Sequence, residues 1–224
     1  LPEELELIAF TERESAEDVV LSLDPSKTLA SSEYLRIGTS STRRRAFLSH
    51  FYPQHTAVEM RGNLQTRLEK LKNGDCDAML LAYAGVHRME MESYITQHLE
   101  INQFVPAVGQ GSVAIQCAVS LNEDVKSLVR KACNHPETEA RLLTERHLLA
   151  HLEGGCSVPV YGHAVLKGDK IVLHAGVLSL DGVENIYHSA QGSDPAILGK
   201  EVAMELIHLG AHQLLRKIRQ QLGS

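Results

Sequence analysis

The sequence predicts an α/β protein that is followed by a small α+β domain. Short apolar runs rich in β-branched residues alternate with helical patterns through the first half of the chain. The pattern changes after residue 138, where a helical run leads into three strand-like runs separated by hairpin turns. Strands that alternate with helices at this spacing are typical of βαβ units and of a mostly parallel sheet.

The first half contains five predicted strands and three predicted helices. The strands cover residues 5–10, 35–39, 57–61, 77–83 and 112–119, and the helices cover residues 41–51, 64–72 and 123–133. Each strand is a short run of apolar residues, and each helix carries polar residues at most positions, as expected for elements at the surface of a sheet.

The second half predicts a domain of its own. A helix over residues 137–152 has Pro136 at its first turn, where proline is well tolerated. Strand-like runs over residues 158–166, 170–179 and 183–192 are separated by turn sequences at residues 167–169 and 180–182. An amphipathic helix over residues 197–221 closes the chain. Together these elements predict a three-stranded antiparallel sheet with helices.

The composition is that of an ordinary globular protein, with 43% hydrophobic and 22% charged residues. No apolar run approaches the roughly 18 residues that a membrane-spanning helix needs. Four widely spaced cysteines without a CxxC pair favour a reducing compartment, and residues 1–7 show no signal-peptide pattern, so a cytoplasmic location is expected. The chain begins with Leu, and we expect that an upstream segment is absent.

The charged residues favour a small anionic ligand over nucleic acid or metal. The net charge is −6, yet residues 36–72 hold eight basic and two acidic residues, a basic island in an acidic protein. The twelve histidines are scattered, and His147 and His151, which stand at i and i+4, are interpreted as a solvated helix face. No metal site and no nucleic-acid partner are therefore expected.

The stretch RIGTSSTRRR, residues 36–45, predicts an anion site. A strand ends at Gly38, three hydroxyl residues form the turn, and a helix follows at once. Free N–H groups at a helix start, hydroxyl donors and guanidinium groups together suit a carboxylate or phosphate. An ordinary serine N-cap with solvated arginines is the alternative interpretation.

Two further arginine-bearing loops strengthen this prediction. Arg61 follows a predicted strand, Arg67 lies in the first turn of the next helix, and Arg88 follows the strand after that. Arginine at a helix start opposes the helix dipole, a cost that an intervening anion would offset. In an open α/β sheet these loops would all lie at the carboxyl ends of strands, where ligands bind. The sequence has no GxxxxGK[ST] loop, so a carboxylate is favoured over a nucleotide.

Two glycine-containing stretches remain ambiguous from their residues alone. AVGQGS, residues 107–112, precedes a strand rather than following one, so we interpret it as a structural turn. Cys156 lies in EGGCSVP, where two glycines leave the thiol poorly covered. No base can be assigned to this thiol from spacing. Two interpretations of Cys156 therefore stay open at this point, an ordinary loop cysteine and the nucleophile of a thiol hydrolase.

Read together, five motifs closely resemble the porphobilinogen deaminase family of tetrapyrrole and haem biosynthesis. They are GTSSTRR, RGNLQTRLEKL, AGVHR, PAVGQGS and HLEGGCSVPV, in this order between residues 38 and 160. The resemblance implies a transferase, hydroxymethylbilane synthase, that condenses four porphobilinogen molecules head to tail into a linear tetrapyrrole and releases ammonia. It also implies a covalent dipyrromethane cofactor, held by a thioether to the cysteine that corresponds to Cys156.

The resemblance implies three domains in a monomer. Two are periplasmic-binding-protein-like (type II) lobes: an incomplete lobe one over residues 1–16 and 106–132, with a hinge near residues 12–16, and lobe two over residues 17–105. The third is a C-terminal α+β domain over residues 133–224 that carries the cofactor-attachment cysteine.

The resemblance also assigns site residues within the basic island. Those implied to bind the cofactor are Thr39, Ser40, Ser41, Arg43, Arg44, Arg67 and Gly85. Arg61 and Arg88 are implied to contact the substrate or the growing chain, and Arg45 is interpreted as solvated. Each porphobilinogen ring carries an acetate and a propionate, so the lengthening product accumulates carboxylates that arginines can neutralise.

The family's catalytic aspartate lies in a Lys-Asp motif that this sequence lacks, and we expect it upstream of residue 1. Asp75 and Asp77 precede a strand, at the wrong end for the site, and are not nominated. The 224 residues alone are therefore expected to be inactive. The alternative function is a non-catalytic type II module that binds an anionic ligand.

Overall fold

The computed structural model describes residues 2–152 and 158–223 of the chain. The strands are β1 (Leu5–Phe10), β2 (Asp18–Leu21), β3 (Arg36–Gly38), β4 (Thr56–Val58), β5 (Ala78–Ala82), β6 (Ile95–His98), β7 (Ala114–Ala118), β8 (Val160–Lys167), β9 (Lys170–Leu178) and β10 (Asn185–Gly192). The helices are α1 (Thr42–Phe51), α2 (Leu64–Lys72), α3 (Tyr83–Arg88), α4 (Glu123–Cys133), α5 (Pro136–His151), α6 (Pro195–His208) and α7 (Ala211–Leu222), with a short 3₁₀ turn at Glu92–Tyr94.

A five-stranded mixed sheet of order β4-β3-β5-β2-β6 forms the centre of the first half. β3 runs parallel to β4 and β5, as the sequence predicts, but β2 runs antiparallel to β5 and β6. The prediction of a mostly parallel sheet is therefore wrong for half of the strand pairs. β2 and β6, which have four residues each, are not among the predicted strands.

Apolar side chains alternate between the two faces of this sheet and form two cores. Ala78 and Leu80 of β5 face the cluster that contains Phe47 of α1, whereas Met79 and Leu81 face the cluster that contains Leu68 and Leu71 of α2. Such alternation follows from the two-residue period of a strand. Helices on both faces leave the carboxyl ends of β3, β4 and β5 free to carry the loops described below.

β1 and β7 form a separate two-stranded antiparallel sheet against which α4 packs. Two chain segments connect it to the five-stranded sheet, residues 11–17 and residues 106–113, and α4 leads on into α5. They run side by side, with the Thr11 N–H donating to Val113 O at 3.0 Å and the Glu14 N–H donating to Gly111 O at 2.7 Å. The first of these segments contains the predicted hinge.

The C-terminal sheet has the antiparallel order β10-β9-β8, as the sequence predicts. α5 and α6 pack beside it, and Leu148, Leu198 and Val202 share its core. The single predicted helix over residues 197–221 is wrong, because the chain forms α6 and α7 with a break at Gly210. Gly210 has φ of 105°, in the left-handed region that glycine adopts without steric cost.

The opposite face of the C-terminal sheet packs onto the central sheet. The Tyr161 ring lies 5.1 Å from the Phe47 ring, between centroids, and both rings are buried. Gly182, in the turn between β9 and β10, contacts α1 so closely that a Cβ would lie 2.6 Å from His50 N. These contacts fix α1, whose first turn carries the arginines of the basic island, against the C-terminal sheet. Among the described residues, no helix combines the length and apolar character that crossing a bilayer requires.

Candidate functional site

The hydroxyl residues of the basic island form the turn between β3 and α1, as predicted. Ser41 is the N-cap, and its Oγ accepts the Arg44 N–H at 3.4 Å. Thr39 Oγ1 accepts the Ser41 N–H at 3.3 Å, and Ser40 Oγ accepts the Met60 N–H at 3.0 Å. Each oxygen acts as an acceptor here, and among the described residues no acceptor takes the O–H of these hydroxyls. Ser40 is exposed and Ser41 is half-buried, whereas Thr39 is buried.

Arg43 and Arg44 share one buried carboxylate, that of Asp18. Arg43 Nη2 lies 2.6 Å from Asp18 Oδ2, and Arg44 Nη2 lies 2.8 Å from Asp18 Oδ1. Asp18 is fully buried; burial raises its pKa, but the two guanidinium groups outweigh burial and hold the pKa below its usual value. Two positive charges around one negative charge leave an excess of one positive charge at the start of α1.

Arg43 is only 3% exposed. Its Nη1 donates to Val105 O at 2.8 Å, while its buried Nε has no hydrogen-bond partner among the described residues. It lines a small cleft of ≈ 160 Å³ together with Ser41 and Val158. Cys156 falls in residues 153–157, outside the described residues. Val158, two positions along the chain from Cys156, is among the residues that line the cleft.

Three arginines meet in a larger cleft of ≈ 440 Å³, here called the arginine cleft. Its lining residues are Arg44, Gly62, Asn63, Leu64, Arg67, Leu81, Ala82, Gly85, Arg88 and Met89. None of these described residues is acidic. Arg44, Arg67 and Arg88 follow β3, β4 and β5, so the predicted convergence at the carboxyl ends of these strands is correct.

Arg67 is held in place although like charges surround it. Its Nε donates to Gly62 O at 2.8 Å, and partial burial, followed by the charge of Arg44, lowers its pKa. Both causes disfavour the charged guanidinium, and an anion between the two arginines would offset their mutual repulsion and favour the charged form. The cleft is therefore electrostatically suited to carboxylates.

The structure does not bring Arg61 to the arginine cleft. Its side chain is 82% exposed and pairs with Glu59. The predicted strand over residues 57–61 is wrong at its end, because β4 stops at Val58 and the next residues leave the sheet edge. Arg45 is exposed, in agreement with its interpretation as a solvated residue.

Asp75 and Asp77, which the sequence did not favour as catalytic residues, are not among the residues that line the arginine cleft. The Asp77 carboxylate binds Arg36 through its backbone N–H at 2.7 Å and through Nη2 at 3.0 Å. Asp75 is exposed and its backbone O accepts from Arg36 Nη1 at 3.3 Å. Arg36 thus engages the carboxylate of Asp77 but only the backbone oxygen of Asp75.

A second cleft of ≈ 420 Å³ adjoins the arginine cleft and shares Gly85 and Arg88 with it. Glu12 and Glu14, from the segment predicted to be a hinge, line its other side, so this cleft carries both signs of charge. His87, also in its lining, hydrogen-bonds to Glu92, and this bond raises the pKa of the imidazole.

Sequence reasoning missed Asp18 and Gln110. Asp18 begins the four-residue strand β2, and a lone acid at the start of the apolar run DVVL was the available signal. Gln110 lies in the stretch interpreted as a structural turn; it is a turn, flanked by Gly109 and Gly111 with φ of 79° and 91°. No pattern in the sequence indicated that its side chain would hydrogen-bond to other residues.

The described residues contain no group of three or more His, Cys, Asp or Glu that could hold a metal ion. Cys76, Cys117 and Cys133 are free thiols. Burial raises the pKa of Cys76 to about 11, so this thiol is not reactive.

Two family models match the chain. The porphobilinogen deaminase dipyromethane cofactor binding domain matches residues 1–126, and the porphobilinogen deaminase C-terminal domain matches residues 139–208. A protein named porphobilinogen deaminase from Desulfosudis oleivorans is 43% identical over 99% of this chain and 72% of its own length. A protein of the same name from Cytophaga hutchinsonii is 44% identical over 97% of this chain and 70% of its own length.

Among solved structures, the substrate binding protein of an amino acid ABC transporter aligns with 55% of this chain and 54% of its own. The identity is 13% and the TM-score is 0.29, too low to support an inference.

Proposed function

The chain belongs to the porphobilinogen deaminase family, and we propose that it serves as hydroxymethylbilane synthase. In this reaction four porphobilinogen molecules are joined head to tail into a linear tetrapyrrole, and each addition releases ammonia. The observation that carries the proposal is the arginine cleft, which Arg44, Arg67 and Arg88 line and which has no acidic residue among the described residues that line it. A product that gains an acetate and a propionate with every ring needs such a surface.

The described residues fit a dipyrromethane cofactor, which carries four carboxylates. The excess positive charge beside Asp18 and the buried Nε of Arg43, which has no hydrogen-bond partner among the described residues, both favour an anion. We assign cofactor binding to Thr39, Ser40, Ser41, Arg43, Arg44, Arg67 and Gly85, with attachment through Cys156. When bound, the dipyrromethane supplies the pyrrole α-carbon on which the chain grows.

Arg88 is proposed to contact the incoming substrate. It lines both clefts, and no hydrogen bond or ion pair holds its side chain among the described residues, so it can turn toward either. Arg61 is proposed as a second contact. Its pair with Glu59 lies at the surface and is therefore weak, worth about 0–1 kcal/mol, so a carboxylate of the growing chain can replace Glu59.

The arginines of this chain neutralise, orient and desolvate carboxylates; they do not transfer protons. Positive charge develops on pyrrole nitrogen during the condensation, and a nearby carboxylate would stabilise it. Asp18 and Asp77 are committed to arginines. We therefore propose that the catalytic aspartate belongs to the Lys-Asp motif implied by the family and not to the 224 residues.

We propose that the molecule has the three domains of the family. The β1–β7 sheet with α4 would belong to lobe one (residues 1–16 and 106–132) and the five-stranded sheet to lobe two (residues 17–105). Both lobes are proposed to be of the type II class, linked by the two adjacent segments at residues 11–17 and 106–113. Residues 133–224 form the domain that presents Cys156. A monomer in the cytoplasm is proposed for the whole protein.

The test is an assay of linear-tetrapyrrole formation by the protein expressed from its entire gene, with Cys156→Ser as the inactive control. We expect turnover of porphobilinogen with release of ammonia. Intact mass should also show an addition on Cys156 that the substitution removes. Unmodified protein from cells that make porphobilinogen, together with no turnover, would favour the non-catalytic binding module.

A further inference from the structure

The side chain of Gln110 lies between the hinge backbone and the two arginines at the start of α1. Its Nε2 donates to Ala16 O at 2.6 Å and to Asp18 Oδ1 at 3.0 Å. Its Oε1 accepts from Arg43 Nη2 at 3.3 Å and from Arg44 Nη2 at 3.5 Å. An amide that is engaged on both its donor and its acceptor side has one orientation and one position.

The backbone around Gln110 is held against the same hinge. Gln110 O accepts from Arg13 Nε at 2.9 Å. Gly111 O accepts from the Glu14 N–H at 2.7 Å, and a Cβ on Gly111 would lie 2.5 Å from Glu14 O. The position of the Gln110 side chain is therefore set by the hinge residues, and a shift of the hinge would move it.

The neutrality of Gln110 matters because it borders a charged cluster. Arg43, Arg44 and Asp18 together carry one excess positive charge. Arg44 directs Nε and Nη2 at Asp18 and one N–H of Nη1 at Leu80 O, 3.4 Å away, which leaves a second N–H on Nη1 for the arginine cleft that it lines. A carboxylate at position 110 would cancel the excess charge, whereas an amide preserves it.

We propose that Gln110 is a positioning residue for the anion site. It holds Arg43 and Arg44 against Asp18 without cancelling their excess charge, and it links their geometry to the hinge at residues 12–16. The inference rests on the proposed function for the identity of the ligand, a carboxylate-bearing pyrrole, but the charge and the contacts stand on their own.

The test measures the affinity of the cofactor-free protein for citrate, a small polycarboxylate, by calorimetry at several salt concentrations. Gln110→Glu adds a negative charge, and Gln110→Met removes both amide contacts but stays neutral. Gln103, an exposed glutamine without a side-chain hydrogen bond among the described residues, gives matched controls, Gln103→Glu and Gln103→Met.

We expect Gln110→Glu to weaken citrate binding at least tenfold, which corresponds to about 1.4 kcal/mol, and to flatten its dependence on salt. Gln110→Met should weaken binding severalfold and keep the salt dependence of the parent, because positioning is lost while the charge remains. Both Gln103 variants should bind like the parent. Circular dichroism and urea unfolding show which variants fold. If Gln110→Glu does not fold, the citrate affinity of Gln110→Met tests the positioning role.

Equal citrate affinity in the parent and in folded Gln110→Met would overturn the positioning role. If the parent protein does not bind citrate at concentrations of tens of millimolar, the excess positive charge is not available to a ligand. The positioning role, which depends on that charge, would then be refuted. Citrate binding does not require tetrapyrrole synthesis. A protein that shows the expected binding pattern but forms no tetrapyrrole would contradict the proposed function alone.

Discussion

Arg13 and Glu145 form a buried ion pair that ties the predicted hinge segment, residues 12–16, to α5. Arg13 Nη1 lies 2.6 Å from Glu145 Oε1, and the two side chains are 2% and 0% exposed. The carboxylate also accepts the N–H groups of Gly109 and Ala164 at 2.8 Å each. One carboxylate thus joins the hinge, the turn that holds Gln110, and strand β8 of the C-terminal sheet.

Arg13→Met should lower the free energy of unfolding by about 3–5 kcal/mol, because it leaves the Glu145 charge buried without its cation. The double variant Arg13→Met/Glu145→Leu should recover part of this loss. It should stay about 1–3 kcal/mol less stable than the parent, since the N–H groups of Gly109 and Ala164 then lack an acceptor. Urea unfolding measures both values.

Arg45→Met is the matched control for this pair, because Arg45 is exposed. It should change stability by no more than about 0.5 kcal/mol. An Arg13→Met protein as stable as Arg45→Met would show that the buried pair contributes nothing.

Gly182→Ala should destabilise the contact between the C-terminal sheet and α1. The new Cβ would lie 2.6 Å from His50 N and 2.7 Å from Ala46 O, both backbone atoms of α1, and φ is 75°. The cost should exceed the roughly 1 kcal/mol expected from the left-handed backbone alone. Gly168→Ala isolates that backbone cost, because Gly168 has φ of 64° and no atom within 4 Å of the new Cβ. Equal melting temperatures for the two variants would contradict the close approach.

His163 should make the protein less stable as the pH falls. Burial, followed by the charges of Arg13, Arg141 and His174, lowers the pKa of His163 to about 3. Between the unfolded pKa of about 6.5 and this folded value, the unfolded state binds more protons. The free energy of unfolding therefore decreases as the pH is lowered through this range. The slope from this one residue should approach 1.4 kcal/mol per pH unit.

His163→Gln should flatten the dependence of unfolding free energy on pH between about pH 6 and pH 4, measured by urea unfolding at each pH. His208→Gln, at an exposed position of α6, should leave the parent slope in place. A His163→Gln protein with the parent slope would assign the acid sensitivity to other groups.

Arg88→Leu should raise the KM for porphobilinogen about tenfold to a hundredfold, the range expected when a charge-assisted hydrogen bond of about 1.5–3 kcal/mol is lost. Because Arg88 is exposed, thermal stability should stay near that of the parent. Arg45→Leu removes an equally exposed arginine outside the cleft and should leave KM unchanged. Steady-state kinetics of the protein expressed from its entire gene provide the comparison. An unchanged KM in Arg88→Leu would remove this residue from the substrate site.

The sequence by itself determined the elements whose signals are local. Short apolar runs located β5 and the strands of the C-terminal sheet, and the serine before a run of arginines located the start of α1. Gly210 was also a visible signal for the break between α6 and α7, but the amphipathic pattern on either side outweighed it. Arg44, Arg67 and Arg88 could be brought together from sequence because each follows a strand of one parallel set.

Only the tertiary structure decided which charges meet. Asp18 is 25 residues from Arg43 and 92 residues from Gln110, and no periodicity or spacing relates such positions. A short strand such as β2 forms only because neighbouring strands pair with it. Its four residues bury enough apolar surface only inside a sheet. Arg61 lies outside the arginine cleft for the same reason, since the end of β4 depends on pairing with β3 and not on the residues of β4 alone.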